Sequence, residues 1–390
     1  MKKETGITIV ALVVTIVVML ILVGVSVTVS INGGLFNTTK ESTYKTEVSQ
    51  VKEALEEEIV QRKSRRESVD NITIEDLDIP NKIKDKYKDK LIIIGKDIYY
   101  DPANIEKDNE EAWLEDMDIS TNTKFFTYNS NGDTITGLSE SGYAAIENGV
   151  TKFVMPTKYV SKDANGNRKV TTITTIGENA FNATVEEKKA CAKIKSVIFP
   201  TTLTTLKTNA FDGCNGLEKI DLSKTQVTYI GQYVFSYCKN LKEAILPENL
   251  TGLDSFAFGH CEKMEKVNLG RITSVRPYCF QYCTSLKNIE IPDSVTYIAE
   301  RSFQCCSSLE KLIIPNSVTN INFEAFADCE KIQEIRIPSS VTTISYNVFS
   351  GSAIGGKMYV PFTKEEGKPS GWHDQWNRSH ATIIYADETT

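Results

Sequence analysis

The chain has 390 residues, a net charge of −7 and an isoelectric point near 5.3. That length accommodates two or three modules with a sizeable core, and the acidic balance offers no basic field for nucleic acid. Apolar and charged fractions of 41% and 24% are those of an ordinary globular protein, but the apolar residues are unevenly placed.

No charged side chain occurs from Thr5 to Thr39, and Ile7 to Val29 is almost entirely aliphatic. At about 1.5 Å per residue such a helix reaches about 34 Å, enough to cross a hydrocarbon core of about 30 Å. Lys2 and Lys3 precede it and favour a cytoplasmic N-terminus, which places the rest of the chain outside. The run is longer than the apolar region of a secretory signal, and no A-x-A pattern follows it. A plain membrane anchor is one reading.

The opening MKKETG-ITIVALVVTIVVMLILVGVSV also resembles the leader and first helix of type IV prepilins and pseudopilins. The resemblance implies cleavage by a prepilin peptidase between Gly6 and Ile7, and possible partners among pilin-like subunits. Ala11 stands where that family usually carries glutamate, so the carboxylate that would pair with a neighbouring N-terminus is missing.

Gly33 and Gly34 are expected to loosen the helix, and a second one to run from about Thr39, with Thr39 or Ser42 as N-cap, to Arg66. Tyr44, Val48, Val51, Leu55 and Ile59 draw an apolar stripe along it. Residues 67–118 read as a small connecting region. It holds a hairpin in LIIIGKDIYY (Leu91–Tyr100) about Gly95-Lys96, and then a polar linker whose one large anchor is Trp113.

The strongest pattern begins at residue 176. Phenylalanine recurs at Phe181, Phe211, Phe235, Phe258, Phe280, Phe303, Phe326 and Phe349; after a first interval of 30, lengthened by EEKKA, the spacings are 24, 23, 22, 23, 23 and 23. An aliphatic residue stands five before each, from Ile176 to Ile344. Three after it stands a cysteine in six repeats: Cys214, Cys238, Cys261, Cys283, Cys306 and Cys329. Apolar pairs two apart follow, such as Ile220/Leu222 and Ile335/Ile337, and a proline usually closes the unit. The pair predicts a short strand, and the run from the aliphatic residue to the cysteine a turn or short helix on the opposite side. One unit cannot bury its apolar face alone; stacked units can.

Phrases such as CSSLEKLIIPNSVTNINFEAF resemble the BspA-like leucine-rich repeats of bacterial surface proteins. The fold class expected is α+β: a long N-terminal transmembrane helix followed by a right-handed leucine-rich-repeat solenoid of about eight 23-residue repeats with short parallel strands. The domains expected are a leader (1–6), the membrane and pilin-like helix (7–66), the connecting region (67–118), an N-terminal cap (119–175) with a hairpin at Asn131-Gly132, the repeats (176–357) and a C-terminal cap (358–390). In that cap Met358–Pro361 supplies a last strand, and the tail with Trp372, Trp376 and ATIIYA covers the open end. The resemblance implies a surface-displayed adhesion module with an extracellular protein or glycan as ligand.

Chemistry is sparse. Stacked repeats place equivalent cysteines about 4.8 Å apart with parallel Cβ directions, poor geometry for disulfides, so a structural thiol ladder is expected. Cys191, Cys279 and Cys305 fall off that column and are the expected reactive or pairing thiols. No cysteine spacing suits zinc, His260, His373 and His380 form no set, and Gly351–Lys357 places Met358 where a phosphate-binding loop needs serine or threonine. No metal, cofactor or catalytic role is expected. Side chains flanking the inward strand residues should point outward: Lys219, Asp221, Glu243, Ile245, Lys266, Asn268, Asn288, Glu290, Lys311, Ile313, Glu334 and Arg336. They are the candidate binding face.

Overall fold

A computed structural model describes residues 34–65, 67, 72–88, 90–94, 97–100, 114, 122–162, 164–353, 355–379 and 381–388. The membrane span expected at Ile7–Val29, the cut at Gly6–Ile7, the Gly95-Lys96 turn and Trp113 lie outside the described residues. Among the described residues no helix is long and apolar enough to cross a membrane.

The chain divides into two units between Gln50 and Val51, within one helix, Gly34–Arg65. Thr39 and Ser42, expected as caps, therefore lie inside the helix. Glycine costs most in a helix interior, so Gly34 in the first turn is no barrier to an earlier start. Glu41 pairs with Lys45 one turn on at 2.8 Å. Tyr44 and Val48 in the first unit are buried, as are Val51, Leu55 and Ile59 in the second. In the second unit a short helix, Asn81–Tyr87, precedes the expected hairpin, Leu91–Ile94 with Asp97–Tyr100.

Two parallel ladders carry the repeats. The first follows the apolar pairs. Lys219–Asp221 lies beside Glu243–Ile245 and Lys266–Val267; an isolated bridge joins Asn288 to Lys311; then Lys311–Ile313, Glu334–Arg336, Lys357–Tyr359 and Thr382–Ile384 continue in register. Ile220, Leu312 and Ile335 point inward from these strands and are buried, while their neighbours face out. Lys152–Val154, in the segment expected to be the N-terminal cap, pairs in parallel with Ser196–Ile198 in the same manner.

The second ladder corrects the expectation of a turn or short helix at the aliphatic residue. Ile176, Leu206, Ile230 and Leu253 sit in two-residue parallel strands, as do Val275, Ile298, Ile321 and Ile344. A two-residue strand has no room for alternation, so its pattern leaves no period to read. Between the ladders the closing proline begins a turn: the Pro247, Pro292, Pro315 and Pro338 carbonyls accept from the amide three residues on at 2.9–3.1 Å.

On the far side of the second ladder the chain turns back through the phenylalanine. The residue two before each phenylalanine has positive φ in all eight repeats, from Asn179 at 54° to Asn347 at 58°. Tyr237, His260, Tyr282, Cys305 and Asp328, two after, do likewise. This alternation aims three amides per turn at the next repeat. In one such turn Tyr278 donates to Glu300, Phe280 to Ser302 and Tyr282 to Gln304, at 3.1, 2.8 and 2.9 Å.

Left-handed backbone costs about 1–2 kcal/mol for most residues, and asparagine or glycine would avoid much of that. Asn209 and Gly213 occupy these positions in one repeat. In the central repeats aromatic stacking offsets the strain: Tyr233, Phe256 and Tyr278 stack at 4.7 and 4.4 Å, and Tyr237, His260 and Tyr282 at 4.3 and 4.6 Å.

Inside, the eight phenylalanine rings form one column with centroids 5.0–5.7 Å apart, each within 15° of parallel to the next. All are essentially without solvent exposure. Phe126 closes the column edge-on at one end and Trp376 at the other, at 6.2 and 6.3 Å. Phe126 belongs to the expected hairpin about Asn131-Gly132, whose second strand, Thr134–Leu138, begins the second ladder. At the far end Ile344 bridges to Trp372. Met358 is therefore not on the last strand: ATIIYA adds a further rung, because its isoleucines continue the repeat register after Tyr359.

Candidate functional site

The outward positions of the first ladder form two rows on each of two separate runs of rungs. Parallel register aligns Lys219, Glu243 and Lys266 in one row and Asp221 with Ile245 in the other. Further along, Lys311, Glu334 and Lys357 share the first row and Ile313, Arg336 and Tyr359 the second. Lys219, Asp221, Lys266, Asn288, Glu290, Lys311, Ile313 and Arg336 are exposed, and Glu243, Ile245 and Glu334 half-buried. Lys357 and Tyr359 were missed by the sequence reading, although a 23-residue step from Glu334 and Arg336 lands on them.

One candidate is withdrawn. Asn268 is exposed, but its amide nitrogen donates to the Leu246 carbonyl at 2.9 Å and its side-chain oxygen accepts from the Leu246 amide at 2.7 Å. The side chain takes the place of a backbone partner, which also explains why the rung at Lys266–Val267 is only two residues long.

The first half of the face is paired within itself: Lys219 meets Glu243 at 2.7 Å and Lys242 meets Glu218 at 3.8 Å. In the second half Arg336 takes Glu334 at 2.5 Å and lies 4.0 Å over the Tyr359 ring. These contacts are solvent-facing and contribute little to stability, but they fix where the charges stand.

All nine cysteines are free. The thiol of each column cysteine donates to the carbonyl of the phenylalanine one repeat earlier, from Cys214 to Phe181 at 3.0 Å through Cys329 to Phe303 at 3.2 Å. Ser352 does the same for Phe326. The carbonyls of Phe211, Phe235, Phe258, Phe280 and Phe303 also accept from the amide of the cysteine three residues on, at 3.1–3.4 Å, so there the thiol is a second donor to a buried acceptor.

Two of the three expected reactive thiols are corrected. Cys191 is fully buried, and three residues after it Ile194 occupies the place of Leu217 after Cys214; it belongs to the column, displaced in sequence by the Glu186–Lys193 helical insertion. Cys279 stands in a second buried column of small residues just before the phenylalanines, with Ala257 and Ser302 as neighbours. Cys305 alone is partly exposed, and burial followed by Asp328 pushes its thiol up to about 11. Burial raises the other eight as well, Cys191 to about 11. Ellman's reagent at pH 8 should therefore label at most Cys305, slowly, in the folded chain and all nine in guanidinium; rapid labelling of more than one folded thiol would contradict the burial.

Asp212, beside Phe211, has its carboxyl pushed up to about 6 by burial, with the Gly213 amide and the Ser236 hydroxyl pulling partly back. A folded value above the ordinary 3.8 means that the stability it contributes is present below pH 4 and is lost as pH rises through 6. Asp212→Asn should raise the melting temperature at pH 7–8 by a few degrees, from about 1–2 kcal/mol, and flatten the pH 4–6 dependence. Thermal melts across pH test this, and an unchanged pH profile would contradict it.

His260 is half-buried between Tyr237 and Tyr282, and burial lowers its pKa. His373 is exposed and accepts from the Gln375 amide at 3.0 Å; His380 lies outside the described residues. Lys357, the last residue of the glycine-rich Gly351–Lys357 stretch, begins a strand. Among the described residues no group of histidine, cysteine and carboxylate side chains is placed to hold a metal.

A model of the BspA type leucine rich repeat region matches residues 168–283 and 270–363, half of the chain. The chain belongs to the BspA-type leucine-rich-repeat family. The two matched stretches take in all eight phenylalanines of the column and its six regularly spaced cysteines. Solved structures with a similar fold include a leucine rich cell surface protein from Faecalibacterium prausnitzii A2-165, 20% identical over 67% of this BspA-type chain and 92% of that one, with a TM-score of 0.40. A leucine-rich repeat protein from Bacteroides ovatus ATCC 8483 is 24% identical over 67% and 68%, at 0.47. The leucine-rich repeat protein of T. pallidum is 22% identical over 58% and 86%, at 0.39. No curated protein matches this BspA-type chain.

Proposed function

We propose that this chain is a cell-surface protein, held by its N-terminal apolar segment, that binds an extracellular protein or glycan through the outward rows of its first ladder. The observation that carries the reading is the fixed register of those rows. A rigid stack presents Lys219 through Arg336 on one regular surface while the phenylalanine and cysteine columns hold it in shape. Rigid, extended faces are what solenoids offer to partners, because little conformational entropy is lost on binding.

The test is to screen the full chain against matrix proteins, glycans and neighbouring bacterial surfaces, beside a variant with Lys219, Glu243, Lys311 and Arg336 all replaced by serine. The reading requires a bound partner that the variant loses while its melting curve is kept. Equal binding by both would place the site elsewhere.

The prepilin-like leader supports processing between Gly6 and Ile7 by a prepilin peptidase. Ala11 favours a simple anchored protein over a minor pilin or pseudopilin of a filament. Mass spectrometry of the mature N-terminus decides the processing: Ile7 as first residue supports it, and an intact Met1 refutes it.

A further inference from the structure

The two halves of the outward face differ in charge and in what their charges do. Rungs Lys219–Asp221, Glu243–Ile245 and Lys266–Val267 carry two lysines against two carboxylates. Rungs Lys311–Ile313, Glu334–Arg336 and Lys357–Tyr359 carry three cations against the single carboxylate of Glu334. In the first half Glu243 sits between two lysines and pairs with Lys219. Its counterpart Glu334 also sits between two lysines, but it is drawn along its own strand to Arg336. Lys311 and Lys357 are thereby left with no ion pair among the described residues, on a chain whose net charge is −7. Glu290 lies one repeat nearer the first half, and exposed Glu310 directly precedes Lys311; counting it, the second half still has three cations against two carboxylates.

Arg336 is pre-set as well as charged. Its Nε is held by Glu334, and its guanidinium carbon stands over the Tyr359 ring, 4.0 Å from the ring centre. A guanidinium fixed in this way loses little freedom when it takes a second carboxylate with its remaining donors. Beside it Ile313 is 52% exposed, an apolar side chain between charged rungs. Exposed Arg336 and half-buried Tyr359 are the residue types enriched where proteins recognise one another, and exposed Ile313 stands in the same row.

Resting on the reading of the outward rows as a binding face, we propose that the segment Lys311–Tyr359 is its recognition site, and that it takes an acidic polypeptide segment with carboxylates next to an apolar side chain. The carboxylates meet Lys311, Arg336 and Lys357, and the apolar group covers Ile313. A uronate-bearing glycan offers the same carboxylates, but a sugar ring packs best on an open aromatic face, and the face of Tyr359 under Arg336 is taken.

The experiment titrates the full chain with a capped peptide of glutamate and leucine, a capped all-lysine peptide, and hyaluronate, at low and raised salt. The glutamate–leucine peptide should bind best and weaken with salt. Lys311→Glu with Lys357→Glu should weaken it by at least about tenfold, and Arg336→Ala comparably. Ile313→Ser should weaken this peptide and leave hyaluronate unchanged. Lys219→Glu with Lys266→Glu, in the other half, should change the peptide affinity less than about twofold.

Peptide affinity untouched by the Lys311 and Lys357 replacements, or preference for the lysine peptide or hyaluronate, overturns the assignment. If a partner from the surface screen still depends on Lys219 and Glu243, the wider face survives that failure. If no outward replacement affects any partner, both fall.

Discussion

Phe280→Ala should cost about 3–5 kcal/mol, the usual range for removing a fully buried phenylalanine, and should broaden the unfolding transition. Phe280 stacks on Phe258 at 5.7 Å and on Phe303 at 5.4 Å, so the cavity opens on two repeats at once. Its amide is a rung donor to Ser302, so the backbone around the cavity is pinned and collapses poorly. In a linear array each repeat is supported chiefly by its neighbours, and a weak central unit partly uncouples the halves. Urea unfolding followed by far-UV circular dichroism measures both effects. A loss under about 1 kcal/mol with an unchanged slope would mean that the ring column is not what joins the repeats.

Trp372→Ala should have an effect of similar size, about 3–5 kcal/mol, with a different signature. Trp372 is 1% exposed; its indole nitrogen donates to the Val341 carbonyl at 2.9 Å, and its ring meets Trp376 at 4.8 Å and Phe362 at 5.4 Å. Trp376 in turn closes the phenylalanine column at Phe349. Losing this plug leaves an open edge of paired strands and a greasy end, which invites end-to-end association. Light scattering during heating should show aggregation at a lower temperature than in the parent chain. Phe280→Ala, with its ends still closed, should aggregate less at equal loss of stability; the reverse order would contradict the capping role.

The period of Phe181 to Phe349 made the stack legible, because an inward ring per turn cannot vary without opening a cavity. The outward rows were legible too, since side chains alternate along a strand whatever its neighbours do. Backbone requirements were not. The left-handed position two before the ring accepts Asn209, Tyr233, Phe256, Arg301 and Glu324, so no residue type marks it. What selects the conformation is three amides finding carbonyls in the next repeat, and amides are invisible in side-chain identity.

Cys191 was misplaced for a related reason: the Glu186–Lys193 insertion shifts its number but not its place in the stack. Asn268 reads as one more outward residue, yet a side chain that can copy a backbone donor and acceptor is drawn to an incomplete rung.

Residue-resolved amide hydrogen exchange on the folded chain tests the stacked turns most directly. The amides of Phe181 through Phe326 donate across to the next repeat at 2.7–3.0 Å. They should exchange slowly, as one block, with the amides of Tyr233, Tyr278 and Arg301 beside them. Fast exchange at those amides, beside slow exchange in the neighbouring strands, would mean that the turns close on themselves and the coils do not share one interior.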